Sequence, residues 1–330
     1  MPIRRALIAF GILLGVTALG SAEVSSQDTI AAARRAYEVC NYDKAAQLLR
    51  QAAMANPSDG EIHLMLAETY YESQQHDAAV ASAERAVALE PENSVYHEWL
   101  GRTYGEKASH AGMFSALSLA KKARREFAKA VELNEMNFGA QQALVEFDCS
   151  APGIAGGGDD KARTEIARVA SLDQAEGHYA AGNCRRQKKD FEVADEEFDK
   201  ALASRPKSAE LIYDIGDYAM KRGQAERLKL VVNEGERAAP ADPRGGFYKA
   251  VALVLLNEKP EEAERLLRRY LKGSWMRNDY PRPWIAHEWL GRLYENRDER
   301  QGAIEEYEAA LKLDPKTKGA REALKRLKKG

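Results

Sequence analysis

The sequence contains few of the residues that redox centres and zinc sites require. It has only three cysteines, Cys40, Cys149 and Cys184, and none of them belongs to a CxxC pair. Zinc ribbons, covalent haem attachment and thioredoxin-like chemistry use such pairs, so the sequence gives them no support. No HExxH or GxSxG motif, paired-carboxylate constellation or Cys–His set occurs in a usable context. We therefore predict that the protein is not an enzyme and has no catalytic residue, no metal site and no cofactor.

The chain also lacks an excess of charge of either sign. Lysine and arginine number 49 against 51 aspartates and glutamates, which gives a formal net charge of −2. Proteins that bind nucleic acid need a basic face, so this balance argues against a nucleic-acid partner. Basic residues do cover the last stretch, 317–329, and we interpret them as a solubilising face.

A long uncharged run occurs at the start of the chain. Arg4 and Arg5 precede an apolar run over residues 6–19, and small residues occupy positions 20–22. The run is shorter than the ~20 residues of a membrane-spanning helix, and the order basic, apolar, small is typical of a secretory signal peptide. We predict a signal peptide over residues 1–22, a periplasmic location in a bacterium and no stable membrane insertion after cleavage. Secretion and an uncleaved N-terminal anchor are the alternatives.

Small residues recur through the rest of the chain at a constant step of 34 residues. Ala45 steps to Ala79 and Pro57 to Pro91. Residues 287–315, HEWLGRLYENRDERQGAIEEYEAALKLDP, show the whole pattern. It resembles the tetratricopeptide repeat, a helix–turn–helix of 34 residues with small residues where the helices cross and a proline at the exit. The resemblance implies an all-α fold, an α-solenoid of about eight such units in a right-handed superhelix with a C-terminal capping helix.

We divide residues 23–330 into eight units and a cap. The units are 26–57, 60–91, 94–135, 138–174, 175–206, 209–240, 244–272 and 284–315, and the cap helix is 317–329. The looser segment between the seventh and eighth units carries Trp275, Tyr280 and Pro281, and we interpret it as ordered. This arrangement is also similar to that of exported bacterial tetratricopeptide repeat proteins.

The third unit carries an insertion of ten residues. Its second helix arrives ten residues late, and the sequence on both sides of residues 110–112 favours helix. We predict that both helices are extended and project as a longer hairpin. Its tip would be apolar, with Met113, Phe114, Leu117 and Leu119. The tip either folds back onto the neighbouring repeat or stays exposed as a hook for a partner.

The fourth unit contains a glycine-rich stretch, residues 153–158, followed by Asp159 and Asp160. A phosphate-binding loop needs Lys and Ser or Thr after its last glycine and a strand before it, and neither is present. We predict a long turn in which glycines take positive φ and Asp159 or Asp160 caps the next helix.

Two cysteines fall near the ends of first helices in successive units. Cys149 and Cys184 are therefore placed on neighbouring helices, where they either form a disulfide in an oxidising compartment or remain two buried thiols. Four histidines occupy the position where the repeat has tryptophan, in the packing seam between repeats: His63, His97, His178 and His287. Successive rings stand one repeat apart, roughly 10 Å, which is too far to share one metal ion.

The resemblance implies that partners bind along the concave surface formed by the first helices. Helical phase places the following residues there: Tyr37, Leu64, Glu68, Tyr71, Glu98, Arg102, Glu146, Tyr179, Arg186, Tyr213, Asp217, Tyr248, Glu288 and Arg292. Tyrosine and arginine are enriched at interface hot spots, and the carboxylates near Glu68 favour a basic or neutral ligand. The alternative is that these faces are solvated and that contact occurs on the convex side or at the third hairpin.

We therefore predict a non-catalytic scaffold or adaptor that binds protein or peptide partners through this groove. The alternative is a ligand-binding or regulatory subunit of a secreted or envelope-associated complex.

Overall fold

The computed structural model describes residues 26–273 and 280–329. Within those ranges the chain forms seventeen α-helices, one short 3-10 turn and no strand. The predicted signal peptide over residues 1–22 lies outside the described residues, and so does Trp275. The all-α prediction is confirmed.

Sixteen helices form eight consecutive pairs, and one helix follows them. Their bounds are α1 (Ser26–Glu38), α2 (Tyr42–Ala55), α3 (Gly60–Glu72), α4 (His76–Leu89), α5 (Ser94–Ser109), α6 (Met113–Leu133), α7 (Phe138–Ser150), α8 (Asp159–Leu172), α9 (Gln174–Gln187), α10 (Phe191–Ala203), α11 (Ala209–Lys221), α12 (Ala225–Ala238), α13 (Pro243–Leu256), α14 (Pro260–Lys272), α15 (Pro283–Asn296), α16 (Arg300–Leu313) and α17 (Lys318–Leu327).

The first helix of each pair packs on its own second helix, and the first helices also contact one another. The helices α3, α5, α7 and α9 are in contact in series, and so are α11, α13 and α15. The first helices therefore form one inner layer, which is the arrangement of a repeat solenoid.

Glycine occupies the position where the two helices cross in several of the pairs. A Cβ atom at Gly291 would lie 2.7 Å from the ring of Tyr307, and one at Gly182 would lie 2.6 Å from the ring of Phe198. Both distances are far below van der Waals contact. The aromatic side chain of the second helix therefore fills the space left by the glycine, which explains the small residues in the sequence period.

The third unit is longer than its neighbours. The helix α5 has 16 residues and α6 has 21, and the tip residues Met113 and Phe114 are 78% and 87% exposed. The tip therefore does not fold back onto the neighbouring repeat. Leu117 and Leu119 are half-buried, and Leu119 packs against the core. Among the described residues, no helix has both the length and the apolar character needed to cross a membrane.

In the fourth unit, the second helix α8 begins at Asp159 after a turn through Gly156 (φ +103°) and Gly158 (φ +143°). Gly158 is the residue that precedes the helix, and no side chain caps it. The prediction that Asp159 or Asp160 is the cap is therefore wrong. Both carboxylates stand instead in the first turn, where the helix dipole favours negative charge.

A disulfide joins the first helices of the fourth and fifth units within the inner layer. Cys149 of α7 and Cys184 of α9 are bonded, with their Cα atoms 5.5 Å apart. Of the two arrangements that the sequence left open, the structure therefore has the bridge rather than two buried thiols.

Candidate functional site

A recess near the N-terminal end of the array lies between α1, α3 and α5. It has a volume of about 530 Å³, and we call it the acidic cavity. Its lining residues are Arg34, Tyr37, Glu38, Glu61, Leu64, Met65, Glu68, Thr69, Glu72 and Trp99. Four carboxylates face one guanidinium, and Arg34 already pairs with Glu61. The cavity therefore has a net negative charge beside an apolar wall.

The fold strongly perturbs the carboxyl group of Glu68 in this cavity. Burial raises its pKa from 4.5 to about 7. The negative charges of Glu72, Glu98 and Glu61 add to the rise, and the positive charge of Arg34 opposes it. The charged form of a buried carboxyl group is disfavoured unless a cation compensates it. At neutral pH Glu68 is therefore close to half ionised, and a cationic group entering the cavity would complete its ionisation.

An aromatic and cationic ladder forms the wall beside the cavity. The rings of Tyr71 and Trp99 meet edge to face with centroids 5.8 Å apart, and the guanidinium of Arg102 lies 5.8 Å from the Trp99 ring centroid. Arg102 Nε donates a hydrogen bond to Glu98 at 2.9 Å, and Glu98 is only 9% exposed. Glu98 is therefore committed to this pair, whereas the other carboxylates face the cavity.

Trp99 lines the acidic cavity but is not among the residues predicted from the sequence to line the groove, although the sequence contains a signal for it. The segment HEWLGR occurs twice, and in the second copy Arg292 lies 4.4 Å from the ring centroid of Trp289. The same tryptophan and arginine thus stack at the same position of two units. The recurrence is a sequence signal for the pair, although Trp289 itself is buried in the core.

A second recess, which we call the central cavity, spans the first helices from α5 to α13. Its volume is about 520 Å³. Its lining residues are Arg102, Phe138, Gly139, Gln142, Glu176, Tyr179, Ser208, Glu210, Leu211, Tyr213, Asp214, Asp217 and Arg244. Burial raises the pKa of both Glu176 and Asp217.

Two of the tyrosines predicted to line the groove are part of the core. Tyr213 and Tyr248 are 2% and 1% exposed, and their rings stack with centroids 5.7 Å apart. The Tyr248 hydroxyl donates to Asp217 at 2.7 Å. The prediction that these two rings are presented to a partner is therefore wrong. Tyr213 is among the residues that line the central cavity, but its hydroxyl is buried against Gly235 of α12 and has no hydrogen-bond partner among the described residues.

The structure distributes the other predicted residues over several places. Tyr37, Leu64 and Glu68 line the acidic cavity, while Arg102, Tyr179 and Asp217 line the central one. Tyr179 donates to Asp214 at 3.0 Å, and Arg186 lies 3.3 Å from the same carboxylate. Glu288 and Arg292 line two recesses near the C-terminal end, and Glu146 is exposed outside these cavities. The predicted residues therefore do not form one continuous site.

The first unit contacts a segment far along the chain. Arg282 Nη1, at the start of α15, lies 2.9 Å from Cys40 Sγ in the turn between α1 and α2, across 242 residues. In the same segment Tyr270 donates its hydroxyl to the carbonyl of Pro281 at 2.7 Å, and the Arg244 guanidinium covers the Tyr280 ring at 4.6 Å. The array therefore curves until its first unit meets the junction between the seventh and eighth units.

The seam histidines serve packing within each unit. His97, His178 and His287 each place Nδ1 2.6–2.7 Å from a glutamate of the second helix, respectively Glu126, Glu197 and Glu306. His63 instead lies 3.2 Å from the carbonyl of Pro57. Three of the rings are bonded to a glutamate of their own unit, His63 contacts the end of the preceding unit, and none of the four shares a site with another.

Comparison with known proteins supports the repeat assignment. Family models of the tetratricopeptide repeat match residues 38–102, 175–208 and 284–317. A thermophilic tetratricopeptide repeat protein of Thermus thermophilus is similar in structure, with 18% identity, a TM-score of 0.46, and 70% of this chain and 100% of that chain covered. The Cut9–Hcn1 hetero-tetramer of the APC/C is similar with 16% identity and a TM-score of 0.47, and the match covers 94% of this chain and 57% of that chain. A tetratricopeptide repeat protein of Parabacteroides merdae is similar with 10% identity and a TM-score of 0.39, and the match covers 92% of this chain and 98% of that chain.

No curated protein sequence matches the chain. The three matched segments lie in the first to third, fifth and eighth units, and each contains paired helices of the kind described above. The chain is a tetratricopeptide repeat protein.

Proposed function

We propose that this protein is a non-catalytic scaffold of the bacterial periplasm that binds a basic segment of a partner protein in the acidic cavity. The observation that carries the proposal is the cavity itself, about 530 Å³ in volume, with four carboxylates on first helices of the array. The tetratricopeptide fold suggests protein partners, and the charge of the cavity selects among them.

The apolar side of the cavity suggests how the segment is oriented. Leu64, Met65 and Trp99 face the carboxylates across the recess. A lysine or arginine side chain has an apolar stem and a charged head, so it can lay the stem on this wall and direct the head to Glu68. Arginine gains further because its guanidinium can stack on the Trp99 ring.

The predicted export rests on two features of the chain. Residues 1–22 have the pattern of a signal peptide, and the disulfide between Cys149 and Cys184 is of a kind that persists in oxidising compartments. Sequencing the N-terminus of protein released by osmotic shock tests this part. We expect the mature chain to begin at Glu23, and a chain that keeps Met1 in the cytosolic fraction would contradict it.

Binding is tested with fluorescein-labelled peptides that differ only in replacing arginine with citrulline. We expect anisotropy to rise with the arginine peptide and the Glu68→Gln, Glu72→Gln double variant to weaken its binding at least about tenfold, since charge-assisted hydrogen bonds contribute roughly 1.5–3 kcal/mol each. The matched control is Glu146→Gln, an exposed carboxylate on a first helix outside the cavity. Equal affinities for the two peptides would reject the basic segment.

The site of binding is tested by photo-crosslinking. A crosslinker at Tyr71 should capture the partner, because this residue lies beside the acidic cavity, whereas capture from Tyr179 alone would place the partner in the central cavity. If only a crosslinker at the exposed Phe114 captures it, contact occurs at the hairpin tip and the cavity assignment is wrong.

The central cavity supports the second candidate function, a ligand-binding or regulatory subunit of an envelope complex. Glu176 and Asp217 line a recess of about 520 Å³, and burial raises the pKa of both carboxyl groups. A small ligand with a cationic group could pair with them. A Glu176→Gln variant that loses a ligand while keeping the basic peptide would separate the two candidates.

A further inference from the structure

A cluster of three potential metal ligands lies where α4 begins and α5 ends. His76 is the first residue of α4, and Glu106 and His110 lie on the last turn of α5 and directly after it. One ligand atom from each of the three lies within 4.8 Å of the other two. We propose that His76, Glu106 and His110 bind a divalent transition-metal ion, for which Zn²⁺ is the best match. None of the three was assigned to a site from the sequence.

The donor set favours this class of ion. Two imidazole nitrogens and one carboxylate oxygen are the protein ligands of many zinc sites that leave a fourth position open. Calcium and magnesium prefer oxygen ligands, so two imidazoles select against them. Glu106 and His110 are four residues apart, a spacing that puts their side chains on one face of a helix.

The hydrogen bonds of His110 leave one ring nitrogen available. Ser109 donates its hydroxyl to the carbonyl of Glu106 at 2.7 Å, and His110 Nδ1 lies 2.9 Å from Ser109 Oγ and 3.1 Å from the same carbonyl. Nδ1 is therefore the protonated nitrogen, and Nε2 keeps its lone pair. Metal-binding histidines are usually oriented by such a bond to a carbonyl group.

His76, the third member of the cluster, has one buried ring nitrogen. Its Nδ1 has no hydrogen-bond partner in the part of the chain that the structure describes. The rings of His76 and His110 stack with centroids 4.4 Å apart and planes 22° apart. One ring must turn about its Cβ–Cγ bond so that both lone pairs converge on the ion. An ion would thus satisfy the buried nitrogen that the stack leaves unpaired.

The charges around the cluster are compatible with a cation. Lys107 is paired with Asp77 at 2.7 Å, so its positive charge is compensated. The carbonyl groups at the end of α5 attract positive charge, and the carboxylate of Asp77 offsets the positive end of α4.

Binding would connect the second unit to the inserted hairpin. His76 belongs to the second unit, whereas Glu106 and His110 stand at the base of the hairpin whose exposed tip begins at Met113. The ion would therefore fix the direction in which the apolar tip projects from the array. This inference is independent of the acidic cavity.

The test is a calorimetric titration of the full untagged chain with ZnCl₂ after dialysis against a chelator. We expect one Zn²⁺ per chain. His76→Asn and His110→Asn should each weaken binding at least about 100-fold, because loss of a hydrogen bond that only supports a ligand already weakens metal binding by about 10–100-fold. His63→Asn is the matched control, because it removes a histidine outside the cluster. Cys40→Ser, which removes the cysteine outside the disulfide, should also leave binding intact.

A second readout keeps the test sensitive to structure. Zn²⁺ should slow amide hydrogen exchange over residues 105–115 in the wild-type chain and not in the His110→Asn variant, with helix content compared by circular dichroism. The proposal is overturned if the wild type binds no Zn²⁺, if Cys40→Ser abolishes binding, or if the two cluster variants bind as tightly as His63→Asn.

Discussion

Replacing Glu68 with glutamine is expected to stabilise α3 at pH 8 and to leave its stability nearly unchanged at pH 4. Burial raises the pKa of Glu68 from 4.5 to about 7 in the folded chain. The folded state therefore holds this proton more tightly than the unfolded state does. Its stability is highest below pH 4.5, falls as the pH rises towards 7, and then stays at the lower level.

The size of the effect follows from the same two values. A difference between 4.5 and about 7, at about 1.36 kcal/mol for each pH unit, corresponds to roughly 3 kcal/mol. Glutamine has nearly the same shape and no charge to desolvate. At pH 8 the Glu68→Gln variant should therefore regain most of that amount.

The assay must report on one unit, because the units of a repeat array can unfold separately. Hydrogen exchange of the amides of Gly60–Glu72, corrected for the intrinsic rate at each pH, gives the local free energy of opening. Glu146→Gln, on an exposed position of α7, is the control and should change the local value by less than about 0.5 kcal/mol. A difference between Glu68→Gln and wild type that is equal at pH 4 and pH 8 would refute the reasoning.

Three further predictions concern the fold. Gly291→Ala should lower the melting temperature, with a cost of about 1–3 kcal/mol, because its Cβ would lie 2.7 Å from a ring of α16; Gly105→Ala, which meets nothing within 4 Å, should not. Replacing Cys149 and Cys184 with serine should cost about 4 kcal/mol for a loop of 35 residues, measured by urea unfolding, and an unchanged midpoint would count against the bridge. Arg282→Ala should raise the radius of gyration measured by X-ray scattering. A scattering profile identical to that of the wild type would show that the contact of Arg282 with the first unit does not maintain the curvature of the array.

The helix pairs could be predicted from the sequence because their cause is local. Where the second helix carries an aromatic ring at the crossing, the first helix needs a small residue opposite it, as Gly182 and Phe198 show. That requirement repeats at a constant step, so the period of small residues reports the pairs directly. The starts of helices can be predicted for a similar reason, because residues such as Asp59 and Asn93 cap the first turn of the next helix with their side chains.

The surface of the first helices was predicted less well. Assigning a lining residue from helical phase assumes that one face of each first helix is exposed. The helix α13 breaks that assumption, because apolar residues occupy nearly all its faces and it is packed between neighbours on both sides. Tyr248 is consequently in the core. The phase argument held for α3, where Leu64 and Glu68 do face the acidic cavity.

The insertion in the third unit adds new surface without changing the repeat beneath it. His178–Glu197 and His287–Glu306 are separated by 19 residues and His97–Glu126 by 29, yet all three contacts measure 2.6–2.7 Å. The ten extra residues must therefore lie entirely beyond this contact.

The helix ends show how those residues are divided. Aligning the two copies of HEWLGR puts Glu106 of α5 opposite Asn296, the last residue of α15, so α5 continues beyond the repeat frame and α6 begins correspondingly early. His110 and the exposed tip at Met113 and Phe114 occur only in this added part. The added part does not contribute to the crossing that holds the helix pair together. Its side chains therefore need not follow the repeat's pattern of small and aromatic residues. That freedom explains why the apolar tip and the histidine that completes the cluster with His76 and Glu106 are found there rather than in the regular units.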